Sequence, residues 1–267
     1  DALLQAGAAH LPPAFLARQR AFVTSRQLPD GGFPGRLGGS DRYYTDFAVR
    51  LAVLCDADET VLARTGDYLA ALPPPRDLVE LFGTLNLARL LERSMDWGPL
   101  SDILAAQALP GGGFAKAPGG PPSVYACFLA ALCAGMLAVE CPAVAAAQPV
   151  VLACQGPAGG FRESPDAGRE QTNATAAALG YLGLQGALDA AVAQPAGRFL
   201  LARQGPGGGL RAHATAPLED LLSTFTGLVA LMGEPGGECL DLIGIARFVR
   251  SQALASGGFA AGPGDED

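Results

Sequence analysis

The feature that most constrains this chain is a glycine-rich turn used five times. Gln27 opens Gln-Leu-Pro-Asp-Gly-Gly-Phe33, Gln155 opens Gln-Gly-Pro-Ala-Gly-Gly-Phe161, and Gln204 opens Gln-Gly-Pro-Gly-Gly-Gly-Leu210. Gln107 leads to Gly-Gly-Gly-Phe114, and Gln252 leads to Gly-Gly-Phe259. Glycine reaches positive φ at little steric cost, so paired glycines mark a tight turn. The turn phenylalanines Phe33, Phe114, Phe161 and Phe259 are expected to plug neighbouring units together. Each turn except the last is followed by a polar loop and an apolar run. Phe33 and Phe114 lie 81 residues apart, whereas the later turns recur after 47, 49 and 49 residues. A degenerate repeat is therefore expected between the first two turns. Such a period marks one supersecondary unit stacked on copies of itself.

Apolar periodicity predicts helices over 15–26, 43–55, 58–72, 77–93, 100–108, 124–139, 143–154, 172–184, 188–203, 221–232 and 240–254. Ser40-Asp41 is an N-cap pair for the second of these, and Pro73-Pro74-Pro75 stops the third. Residues 1–13 form a leader without a clear pattern. No strand alternation is present. One helix of each pair carries charges, such as 58–72, and is expected to be outer. The other is almost uncharged after its first turn, such as 221–232, and is expected to be buried on several sides. The expected fold class is all-α, a single domain over 1–267. About six hairpins with one very apolar helix each suit a closed double barrel around a central cavity. The helix over 240–254 has no partner, so the last inner helix is missing from this chain. The natural chain is expected to continue beyond Asp267.

Composition supports a large core: 49% of the 267 residues are hydrophobic, and the 16% charged content is below the roughly 25% of typical soluble domains. The net charge of −8 argues against a nucleic-acid partner, which needs a basic face. No unbroken apolar run reaches the roughly 18 residues of a membrane span. The six cysteines form no CxxC pair, and most sit among Ala, Leu and Val. They read as reduced core residues, which points to a cytoplasmic setting.

The recurring Gln-x-x-x-Gly-Gly-Phe, with its polar loop and Asp-x-x-Tyr/Ser-Thr-Phe, resembles the prenyltransferase and squalene-oxidase repeat. The stretch from Gln27 through Gly31-Gly32-Phe33 to Asp41-Arg42-Tyr43-Tyr44-Thr45 looks most like the β subunits of protein prenyltransferases. The resemblance covers residues 15–267. It implies an α/α toroid of six hairpins, often with an isoprenoid in the central cavity. It also implies a partner subunit, with a homo-oligomer as the alternative assembly.

Parallel inner helices would bring their N-termini to one rim, with unsatisfied N–H groups suited to anions. The loops feeding that rim carry Arg36, Lys116, Arg162, Arg169, Arg211 and His213. Cations above an apolar barrel suit a diphosphate head with an isoprenoid tail. Tyr125 matches a tyrosine that lines the isoprenoid tunnel in the family, and Tyr43, Tyr44, Phe47, Phe128, Tyr181 and Phe225 are further lining candidates. The same helix starts carry Asp41, Asp77, Glu170, Glu219 and Asp220, and Asp265-Glu266-Asp267 ends the chain. These acids are N-cap candidates. As a group they are also oxygen ligands for a divalent metal such as Mg.

Protein prenyltransferases use Asp-x-Cys and a His to hold a zinc that activates the acceptor thiol. Asp220 matches the Asp, but Leu222 stands at the Cys position, and only His10 and His213 are present. A zinc site of that type is not expected. Asp265-Glu266-Asp267 is similar to part of the Asp-x-Asp-Asp acid of class II terpene cyclases but lacks its fourth position. The first expectation is a prenyltransferase-like protein that binds an isoprenoid diphosphate, with Asp220, His213 and Asp41 as catalytic candidates. The alternatives are a class II terpenoid cyclase-like enzyme and a non-catalytic toroid that binds a lipid or a protein.

Overall fold

The computed structural model describes residues 2–116, 119–232 and 237–263. Helices α1 (Ala2–Ala8), α2 (Pro13–Thr24), α3 (Arg42–Leu54), α4 (Glu59–Ala71), α5 (Leu78–Leu90) and α6 (Trp97–Ala106) come first. They are followed by α7 (Val124–Leu137), α8 (Pro142–Ala146), α9 (Gln148–Leu152), α10 (Thr172–Leu184), α11 (Ala190–Leu201), α12 (Leu221–Leu231) and α13 (Leu242–Ser251). The predicted pairs are present, with most ends trimmed or shifted by up to three residues. Two expectations change. The leader holds α1, and the single helix expected over 143–154 is two short ones. Pro149 lies in the first turn of α9, where its missing N–H costs least.

The chain divides into two compact units. One holds the residues up to Ile103 together with Leu254–Gly258; the other runs from Leu104 to Ala253 and resumes at Phe259. In the first unit, Val23, Phe33, Val49, Ala52, Val61, Leu69, Leu87 and Ala88 form one buried cluster. Gln27 explains its own recurrence there. Its Nε2 donates to Gly31 O (3.0 Å) within the turn and to Val61 O (2.8 Å) on α4. Gly31 has φ of +90°, and a Cβ there would lie 2.1 Å from Arg64 O. Only glycine lets the turn meet α4 this closely. The turn at 254–258 makes the same kind of contact with α2: Gly258 N–H donates to Gln19 Oε1 (2.7 Å), and Gly257 packs on Phe22.

The second unit repeats the device. Gln155 Nε2 donates to Gly159 O and to Val192 O on α11. Gln204 Nε2 donates to Gly208 O (2.8 Å) and Asp241 O (3.0 Å), and Gln204 Oε1 accepts from Asp241 N–H (3.0 Å). Each such turn also reaches the apolar helix that follows it. Phe161 N–H donates to Thr175 Oγ1, and Leu210 N–H donates to Thr224 Oγ1, both at 2.8 Å. Thr45 does the same for Phe33 in the first unit. Phe33, Phe114 and Phe161 are buried as expected, but Phe259 is 38% exposed.

Two loops carry short ribbons that the sequence, which lacks strand alternation, did not signal. β1 (Phe161–Arg162) pairs antiparallel with β2 (Glu170–Gln171), and β3 (Leu210–Arg211) pairs with β4 (Glu219–Asp220). Two-residue strands are too short to show alternation. A second correction concerns α12, which was expected to be buried on several sides. It packs on α10, yet Leu222, Phe225, Val229 and Met232 are 47–61% exposed.

Replacing Gln204 by Ala is expected to lower the unfolding free energy by about 0.5–1.5 kcal/mol, the net range for typical intramolecular hydrogen bonds. Urea denaturation checks this, and an unchanged midpoint would remove the glutamine from its role as a staple.

Candidate functional site

The two ribbons of the second unit hold the loops 163–169 and 212–218 ahead of α10 and α12. They bring Arg169 and His213 together from successive repeats: Arg169 Nη1 lies 3.3 Å from His213 Nε2. Arginine has no acceptor, so Nε2 accepts and the His213 proton sits on Nδ1. Nδ1 then donates to Thr215 Oγ1 at 3.2 Å. Arg211 stands two residues before His213 and pairs in register with Glu219. Its Nε is buried without a hydrogen-bond partner.

The other predicted cations have local partners. Arg162 donates to Pro165 O and Ala153 O, both at 3.0 Å, and so braces its own loop. Lys116 pairs with Glu163 at 2.9 Å and lies 5.5 Å from the ring centre of Tyr125. Glu163 also accepts from the Ser123 hydroxyl. Arg36, in the first unit, donates to the Tyr44 hydroxyl at 2.8 Å.

The acids are used at the helix starts and turns. Asp41 caps α3 through Tyr44 N–H, and Asp77 caps α5 through Glu80 N–H. Asp220 caps α12, with Oδ1 taking Ser223 N–H and Oδ2 taking the Ser223 hydroxyl, both at 2.7 Å. Glu170 accepts from the turn amides of Ala158 and Gly160, and Glu219 accepts from Gly207 N–H. Asp265, Glu266 and Asp267 lie outside the described residues. Among the described residues no three His, Cys, Asp or Glu side chains gather as a metal site. The start of α12 does not fit zinc: both Asp220 oxygens serve Ser223, and Leu222 offers no donor atom.

The helix starts were expected to hold free N–H groups. In the second unit the next repeat takes one from each. Val124 N–H donates to Glu163 O, Thr172 N–H to Ala212 O, and Leu221 N–H to Ala261 O, at 2.8–2.9 Å. An anion arriving at this end therefore meets side chains more than helix amides.

The apolar candidates separate clearly. Phe225 belongs to the exposed face of α12 with Leu222, Val229 and Met232. Tyr125 and Phe128 are partly buried on α7. Tyr43 packs edge-on against Tyr44 and Phe47, and Phe47 is half exposed. Tyr181 is fully buried, donates its hydroxyl to Val144 O, and is raised in pKa by burial, so it belongs to the core. One group escaped the sequence reading: Asp46, Arg50, Asn86 and Arg89 join across α3 and α5. The signal was charge in the middle of helices of a class that is otherwise uncharged there.

Residues 135–267 match the family model of the prenyltransferase alpha-alpha toroid domain. This chain carries that toroid domain. Solved toroids of similar fold include Candida albicans protein geranylgeranyltransferase-I complexed with GGPP, at 13% identity and a TM-score of 0.75, covering 94% of this chain and 86% of that one. The type II terpene cyclase MstE from Scytonema matches at 15% identity and a TM-score of 0.67, covering 94% and 82%. A protein from Actinoplanes matches at 20% identity and a TM-score of 0.62, covering 96% and 83%. At these identities the toroids share the fold. No curated protein matches the sequence. Among the described residues no helix of the toroid is long and apolar enough to cross a membrane.

Cys55, Cys127, Cys133 and Cys154 of the toroid are buried, Cys141 is partly buried, and Cys239 is exposed. Burial pushes the Cys127 and Cys154 thiols up to about 11 and Cys133 to about 12. Thiolate is the reactive form, so these three are nearly inert at neutral pH. A thiol reagent at pH 8 is expected to modify Cys239 in the folded protein and those three only after unfolding. Rapid labelling of all of them in the native state would contradict the burial.

Proposed function

We propose that this toroid binds an isoprenoid diphosphate, with the headgroup on the loops before α10 and α12 and the chain along α12. The observation that carries the reading is the contact between the loop before α10 and the loop before α12, the second of which leads into an exposed apolar face. Arg169, His213 and Arg211 stand before the helix, and Leu222, Phe225, Val229 and Met232 run down it. From Leu222 to Met232 the rise is about 15 Å at 1.5 Å per residue. Water-exposed apolar stripes of this kind mark binding sites. A diphosphate would bridge Arg169 and His213. The charge of guanidinium groups makes such bonds about twice as strong as neutral ones.

A geranylgeranyl chain is the preferred tail. Two toroids of the same fold are named with one, the geranylgeranyltransferase with GGPP and an MstE variant with geranylgeranyl dihydroxybenzoate. On this reading the protein is prenyltransferase-like, without zinc activation of the acceptor. Asp220 and Asp41 act as helix caps near the site, and His213 is the group that could exchange a proton with the ligand. The likeness to terpene cyclases supports a second reading, in which the bound chain is cyclised without loss of diphosphate.

Titration with geranylgeranyl diphosphate tests the proposal. Arg169→Gln and His213→Ala are each expected to weaken binding about tenfold, which is about 1.4 kcal/mol. Phe225→Asp is expected to weaken binding of the chain while leaving inorganic diphosphate binding unchanged. Release of diphosphate on incubation favours transfer; a cyclised product that retains it favours the second reading. No binding of the wild type, or binding that survives all three substitutions, would refute the proposal.

A further inference from the structure

Glycine turns dock on α2, α4, α11 and α13. Among the described residues α2, α4 and α11 expose no large apolar side chain, whereas α13 exposes Leu242 (59%) and Ile243 (75%). The inner side of α13 is occupied. Gly208 packs on Gly244, Gln204 bonds the Asp241 backbone at the helix start, and Ile245 and Phe248 are buried. Leu242 and Ile243 lie outside that contact. With the exposed residues Ala246, Arg247 and Arg250 they line one open groove.

The spacing fits a second helix. Ala246, Arg247 and Arg250 stand three, four and seven residues after Ile243 on one helix. Four residues so placed form the hole that receives one side chain of a facing helix. Ala246 gives that hole a low floor, because its side chain is a single methyl group. Leu242 and Ile243 supply the apolar side, and Arg247 and Arg250 supply the cationic side. Among the described residues neither guanidinium has a hydrogen bond or an ion pair. The Asp241 carboxylate is taken by Gly244 N–H at the start of α13.

Charge selects among the occupants. A second copy on the same groove is opposed by like charges. An antiparallel pair centred on 246–247 sets Arg247 against Arg247, and a parallel pair sets both arginines against their equivalents. An anionic membrane surface would face a chain of net charge −8. A helix that carries an apolar side chain with carboxylates one turn away meets neither cost. It fills the hole and pairs with both arginines.

We propose that the exposed face of α13 docks an acidic amphipathic helix of a partner protein. An apolar side chain of that helix sits on Ala246 against Leu242 and Ile243, and its carboxylates take Arg247 and Arg250. The proposal does not rest on the binding of a diphosphate or an isoprenoid.

The test uses the full chain and two labelled peptides of about 21 residues, heptads with Leu at a and d and either Glu or Lys at e and g. Repulsion among like e and g charges keeps each peptide from pairing with itself. Fluorescence anisotropy is expected to show the Glu peptide binding about tenfold tighter than the Lys peptide. Arg247→Glu combined with Arg250→Glu should reverse that preference, which a loss of folding cannot do. Ala246→Trp fills the hole and should abolish binding of the Glu peptide. Phe225→Asp, on α12, should leave it unchanged. Equal binding of the two peptides, no binding of either, a preference that survives the double reversal, or binding lost in Phe225→Asp instead of Ala246→Trp would overturn the proposal. So would self-association of the chain, or sedimentation with phosphatidylserine vesicles, that the double reversal abolishes.

Discussion

The toroid depends on one recurring contact, the docking of a glycine turn onto the next charged helix. A glutamine side chain closes the turn and bonds the backbone of that helix, as Gln27 does with Val61 and Gln204 with Asp241. The contact works only if the turn backbone comes within touching distance. At Gly31, Gly159 and Gly208 a Cβ would fall 2.1–2.6 Å from a carbonyl oxygen of the facing helix. Positive φ and close approach fall on the same residue, so no other amino acid serves. The threonine that follows then ties the turn to the apolar helix of its own pair. Turn, charged helix and apolar helix are fixed by a few side chains repeated along the chain.

The same economy shapes the helix starts. An apolar helix must satisfy the N–H groups of its first turn. At α7 and α12 a capping side chain takes one, and at α7, α10 and α12 a carbonyl from the next repeat takes another. The acids at these positions are therefore largely occupied with structure. Glu170 and Glu219 go further and bind the amides of their own turns. The short ribbons carry Arg211 and lead into the loops that bring Arg169 and His213 together.

The two units differ in how they treat the interior of the apolar helices. The second unit fills it with Ala, Leu and Gly and leaves one face of α12 apolar and open. The first unit inserts Asp46, Arg50, Asn86 and Arg89. The repeat supplies the scaffold, and each unit departs from it in its own way.

The sequence by itself determined the helical pairs, the turns, the caps and the family. Glycine pairs, caps and apolar periodicity act over a few residues, so they are legible without knowing what packs where. The predicted bounds of α10 match the observed Thr172–Leu184, and Asp41, Asp77 and Asp220 cap as their types suggest. Tertiary structure decided which of the candidate residues have partners. Arg162 and Arg169 look alike in a loop, yet one is spent on backbone carbonyls while the other meets His213 from the next repeat. Tyr181 and Phe225 share an apolar setting in sequence, but one is core and the other faces water. The Asp46–Asn86 link joins positions 40 residues apart. Burial and long-range partners depend on the neighbours that the fold brings in, and that information is not local to any stretch of the chain.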